Sequence, residues 1–90
     1  MFSGIIESLG TIREFVHGQE SAAMVVETKT NFSCLEKGES IAVNGVCLTV
    51  VDFNESMLRM DLGTETLSKT SFKNSKVGDQ VNLERSLTPS

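Results

Sequence analysis

Tryptophan and tyrosine are absent from this 90-residue chain, and histidine occurs once, at His17. Proteins that grip single-stranded nucleic acid stack bases on aromatic side chains, and the missing rings remove most such platforms. A formal charge of −4 also removes the basic face that nucleic-acid modules carry. The two cysteines, Cys34 and Cys47, stand apart with no CxxC spacing. Together with His17 they make three nitrogen or sulfur ligands where a structural zinc site takes four, so no metal is expected. Without the basic opening of a secretory signal they read as free thiols, and the cytoplasm is the expected compartment. No apolar run approaches the ~20 residues of a membrane span, and no GxxxxGKS phosphate loop is present.

What remains is an ordinary globular composition, 39% hydrophobic, in a length that allows one domain. So small a domain buries only ~60% of its unfolded surface, which makes a partner surface expected. The dominant period is two. Phe2 to Val16 reads as extended, with Ile5, Leu9, Ile12 and Val16 apolar and Glu7, Arg13 and Glu14 polar. Gly10 inside that run signals a bulge or a close approach of backbone. His17 to Glu20 reads as a turn, and Ala22 to Thr28 as the returning strand. Asn31 to Gly38 has the cap and stop of a short helical turn near 32–36. Ser40–Val43 and Val46–Phe53 flank Asn44-Gly45, a pair suited to the positive φ of a type I′ hairpin. Met57–Leu62 forms a fifth strand, Thr64 to Ser68 a capped helical turn, and Gln80–Arg85 a last strand. Six short strands with tight turns predict an all-β fold, a barrel by preference because closure removes exposed edges.

Chemistry is harder to read. A cysteine nucleophile needs a base within reach; only His17 qualifies, and it falls in a predicted surface turn, so buried, inert thiols are the plainer reading. Glu7, Asp61 and Glu65 are candidate acids that fit a solvated strand face or helix start equally well.

Several motifs nevertheless resemble one family. Met1-Phe2-Ser3-Gly4-Ile5-Ile6-Glu7 is similar to the MFTGII-type start of riboflavin synthase α-chains, with Ser3 in place of the usual threonine. Ser40 to Val50, Glu65-Thr66-Leu67 and Val77 to Arg85 resemble further segments of that family, in order and spacing. The resemblance implies a closed six-stranded antiparallel Greek-key barrel with one or two short helices. It spans residues 1–86, and residues 87–90 are a tail or the start of a linker to a second, similar barrel. The chain is thus expected to be the first barrel of a longer protein.

The resemblance further implies a cofactor-free dismutation, in which two molecules of 6,7-dimethyl-8-ribityllumazine exchange a four-carbon unit. The products are riboflavin and 5-amino-6-ribitylamino-pyrimidinedione. Phe2, Ser40 and Cys47 match positions near the reacting pair. The lumazine or riboflavin would be held by Gly4, Ile5 and Ile6, by Cys47, Leu48 and Thr49, and by Asp61, Leu62, Gly63, Thr64, Glu65 and Thr66. A flat heterocycle with amide-like edges needs in-plane donors and acceptors and an apolar slot, which strand ends can supply. A homotrimer is implied for the full-length enzyme and a homodimer for this barrel alone, with neither nucleic acid nor membrane as partner. The rival reading is a non-catalytic lumazine or flavin carrier on the same barrel.

Overall fold

The structure, a computed structural model, describes residues 8–18, 21–29, 37–69 and 71–85. Six strands form a single closed barrel: β1 (Ser8–His17), β2 (Ser21–Thr28), β3 (Ser40–Val43), β4 (Val46–Phe53), β5 (Met57–Gly63) and β6 (Gln80–Arg85). Their order around the barrel is β1-β2-β5-β4-β3-β6, with every pairing antiparallel. A short helix, α1 (Thr64–Lys69), follows β5, and a 3₁₀ turn (Ser71–Asn74) leads towards β6. The fold class read from the sequence is therefore the one observed, and the strands β2 to β6 fall within a residue of their expected limits. The helical turn expected near 32–36 lies outside the described residues, as do residues 87–90.

Strand alternation explains the interior. β2 and β5 show strict period-two burial, and Met24, Val26, Leu58, Met60 and Leu62 are fully buried. Ile12, Ile41, Val43, Val50, Val81 and Leu83 join them from the other strands. Each such side chain contributes ~1.5–3 kcal/mol on leaving water. Phe72, carried by the 3₁₀ turn, is also buried, and α1 packs against β2 and β5.

β1 departs from the simple reading. The register with β2 slips between Ile12 and Glu14, leaving Arg13 as an extra, bulged residue. The slip reverses the strand's phase, so Ile12 before it and Phe15 after it turn inward and Val16 (61% exposed) faces outward. Leu9 (58% exposed) faces outward by plain alternation with Gly10 and Ile12. Arg13 closes a 2.7 Å ion pair with Glu27 on β2. His17 is the last residue of β1 instead of a turn residue, its ring 4.7 Å from that of Phe15. Gly10 marks a close approach: an added Cβ would overlap Val26 Cγ1 and come within 3.0 Å of Leu83 Cδ1 and 3.2 Å of the Glu27 carbonyl oxygen.

The β3–β4 hairpin turns at Asn44 (φ 50°) and Gly45 (φ 82°), both left-handed as expected. Asn44 also ties this turn to β6: its N–H donates to the Asn82 carbonyl at 2.8 Å, and its Oδ1 accepts from the Asn82 N–H at 2.7 Å. Asn44→Ala is expected to lower stability by about 2 kcal/mol, combining the left-handed penalty with a lost hydrogen bond. Asn44→Gly keeps the φ and should cost about 1 kcal/mol; equal losses in urea denaturation would refute this division. Gly10→Ala is expected to cost about 1–3 kcal/mol through overpacking against atoms that cannot all withdraw. An unchanged urea midpoint would show that the barrel can yield there.

Candidate functional site

β4 changes partner along its length. Its first half pairs with β3, from Val43↔Val46 to Ser40↔Thr49. Its second half pairs with β5 at Val50↔Met60, Asp52↔Arg59 and Phe53↔Leu58, with a bulge at Val51. β5 meanwhile stays in register with β2 as far as Ser21↔Gly63. Among the described residues, Val46–Thr49 of β4 and Asp61–Gly63 of β5 are therefore not paired with each other. A seam opens between them, and main-chain N–H and C=O groups that would complete a ladder are left on its two margins.

The residues singled out by sequence gather there. Leu48 and Leu62 are buried (4% and 1% exposed) and floor the seam. Cys47 and Thr49 are exposed on one margin, Asp61 and Gly63 on the other. A Cβ placed on Gly63 would meet no heavy atom within 4 Å, so the seam is unobstructed at that point. α1 continues directly from β5, setting Thr64, Glu65 and half-buried Thr66 at the end of the seam. Ser68 Oγ donates to the Glu65 carbonyl at 3.0 Å, and Glu65 sits in the first turn, where a negative charge suits the helix dipole. Ser40 is half-buried and registered opposite Thr49, which makes it a diagonal neighbour of Cys47, ~7–8 Å away. Phe2, Gly4, Ile5 and Ile6 lie outside the described residues.

Cys47 has no base at hand on its own wall. β1, which carries His17, is separated from β4 by two strands in either direction around the barrel, and the Cys47 thiol faces outward. A Cys47–His17 nucleophile is thus not formed. The seam brings together apolar side chains beneath, main-chain donors and acceptors at its edge, and hydroxyls at Ser40, Thr49 and Thr66 around it. Sequence reasoning passed over Arg59, which faces outward on β5 two residues before Asp61. Nothing in the chain's pattern separates it from an ordinary solvated strand charge; only the strand pairing puts it beside the seam.

Comparison with known proteins agrees with this fold. A profile of the lumazine binding domain matches residues 3–86. The chain belongs to that family. It is 42% identical over 90 residues to the riboflavin synthase of Photobacterium leiognathi, covering 99% of this chain and 41% of the relative. It is 39% identical over 87 residues to the riboflavin synthase of Bacillus subtilis, covering 97% of this chain and 40% of the relative. This lumazine-binding domain therefore spans about two-fifths of the length of the curated relatives it matches. Among solved structures, LumP complexed with riboflavin superimposes with a TM-score of 0.83 at 28% identity, covering 97% of this chain and 47% of that one. LumP complexed with flavin mononucleotide gives 0.81 at 29% identity, covering 94% and 49%.

Proposed function

We propose that this chain is the first of two lumazine-binding barrels in a riboflavin synthase, and that it holds 6,7-dimethyl-8-ribityllumazine or riboflavin at the β4–β5 seam. The observation that carries the reading is the seam itself: strand margins that, among the described residues, do not pair with each other, over buried Leu48 and Leu62, in a chain of the lumazine-binding family. The ring edge is read by the main chain of Cys47, Leu48 and residues 61–66, and by the Thr49 and Thr66 hydroxyls. Gly4, Ile5 and Ile6 are assigned the opposite edge. In the parent enzyme two lumazines, one in each of two facing pockets, exchange a four-carbon unit to give riboflavin and 5-amino-6-ribitylamino-pyrimidinedione, without a cofactor. Phe2, Ser40 and Cys47 are assigned to the border of the reacting pair. The identity of about 40% to riboflavin synthases supports a catalytic parent over a non-catalytic flavin carrier. The strand order supports a Greek-key reading of the connections. Among the described residues no helix is long and apolar enough to cross a membrane, which is in keeping with a cytoplasmic enzyme.

Riboflavin fluorescence is expected to quench saturably when the folded chain is titrated in. No saturable change at high micromolar protein would remove the assignment. Thr49→Ala should weaken binding about fivefold, the equivalent of one neutral hydrogen bond of ~1 kcal/mol.

Assembly follows from the same reading. A barrel without its companion retains a face adapted to a similar barrel, and a twofold pair is the simplest closed arrangement. The chain alone is assigned a homodimer and the full-length protein a homotrimer. Sedimentation across a concentration series should show the dimer; a strict monomer at the highest concentrations would contradict it.

A further inference from the structure

We propose that Asn44 is a deamidation site gated by its clamp to Asn82. Its side-chain amide becomes a carboxylate only in molecules whose β3–β4 turn has come away from β6, and the isoaspartate formed there keeps that turn from closing again. Asn44 and Gly45 are exposed, and a Cβ placed on Gly45 would meet no heavy atom within 4 Å. The Gly45 N–H makes no hydrogen bond among the described residues. It is open to hydroxide, and the deprotonated nitrogen is the nucleophile for Asn44 Cγ. Attack forms the bond from Gly45 N to Cγ; the Cγ–Nδ2 bond breaks, and ammonia leaves with a proton from water, which restores the hydroxide. Water then opens the resulting succinimide. Addition at Cγ gives aspartate, and addition at the main-chain carbonyl carbon gives isoaspartate, whose chain runs through Cβ.

Two features of the closed turn hold this reaction back. The φ values of 50° and 82° are those of a type I′ turn, in which ψ of the first central residue is about +30°. The Gly45 nitrogen then stands nearly anti to the Asn44 Cβ, on the far side of the Cα–C bond from the amide it must reach. The side chain is also held by β6. Asn44 continues the β3–β6 ladder one place beyond Val43↔Leu83, with Oδ1 accepting from the Asn82 N–H where a main-chain carbonyl would ordinarily do so. Rotation of ψ to bring the nitrogen onto Cγ takes Asn44 off both of its bonds to Asn82. Deamidation therefore proceeds through the opened turn, at a rate set by how often that turn opens. The products then diverge. Aspartate keeps an oxygen for the Asn82 N–H, now in a charge-assisted bond, and the turn recloses. Isoaspartate adds a carbon to the main chain between residues 44 and 45. A two-residue turn cannot absorb it, and the β3–β4 register that starts at Val43↔Val46 is disturbed.

The test follows Asn44 by peptide mass spectrometry that separates asparagine, aspartate and isoaspartate, in the folded chain and in guanidinium chloride at the same mildly alkaline pH. Native-state hydrogen exchange of the Asn44 N–H is measured alongside, because the same opening releases it from the Asn82 carbonyl. Deamidation should be at least about tenfold slower in the folded chain, and that slowing should match the exchange protection of the Asn44 N–H within about threefold. Equal rates in the two states, or slowing far beyond the protection of that N–H, overturns the gate. An unfolded chain that keeps Asn44 intact overturns the site. Asn44→Asp should unfold near the native urea midpoint and the isoaspartate-bearing chain at lower urea; a native midpoint for the isoaspartate form overturns the one-way step.

Discussion

Closure of the ladder through β6 is the constraint on which the remaining features rest. This six-residue strand pairs with β1 along one edge and with β3 along the other, so neither keeps a free row of amides. Closure also drives the inward side chains of six strands into one narrow interior, which must be filled at near-crystalline density. Gly10 is a consequence: Val26 and Leu83 meet where its side chain would have been. The bulge at Arg13 is another, because it lets β1 bend and return Phe15 to the core. Asn44 fixes the hairpin turn to Asn82, and the Glu39–Arg85 pair (side chains 16% and 27% exposed) holds the far end of β6 beside β3.

The same register decides where pairing runs out. β4 is engaged by β3 early and by β5 late, with the bulge at Val51 at the handover. Among the described residues a stretch of three or four is left unpaired across the seam on each strand, too short to recruit another sheet and bordered by α1. A barrel can in this way present main-chain donors and acceptors without carrying an exposed edge strand. In the proposed function those groups are what a pteridine edge reads.

This explains why the fold was far more legible than the site. Asn44-Gly45 needs positive φ at two consecutive residues, so it announces β3 and β4 directly. The alternation of Met57 to Leu62 announces β5 as clearly. Val16 falls outside the core although Ile12 lies within it, because the bulge at Arg13 shifts the inward phase of β1, and composition does not encode a bulge. Phe72 was missed as core because a four-residue turn has no periodicity to detect. The candidate site left almost no mark of its own. Recognition by backbone is indifferent to side-chain type, and Leu48 and Leu62 look like any core leucines. Only the family resemblance directed attention to residues 47–49 and 61–66, and the part of it resting on Phe2 and Gly4 to Ile6 falls outside the described residues.

The geometry also bears on why one barrel is insufficient for the proposed reaction. Closure fills the interior with side chains, and in the proposed function the ligand is received at the surface, over the seam. Such a seam covers one face of a planar ring and leaves the other in water. Transfer of a four-carbon unit between two rings needs them opposed at reacting distance, with water excluded from between them. The outward-facing set of Ser40, Cys47 and Thr49 offers hydroxyls and a thiol at that open side, and the Asp61 carboxylate stands on the facing margin. A second pocket therefore has to supply the other ring, the cover against solvent and any proton-transfer group that this wall lacks. Pairing of two barrels across the seam is, on this argument, a requirement of the chemistry set by how completely the first barrel closes.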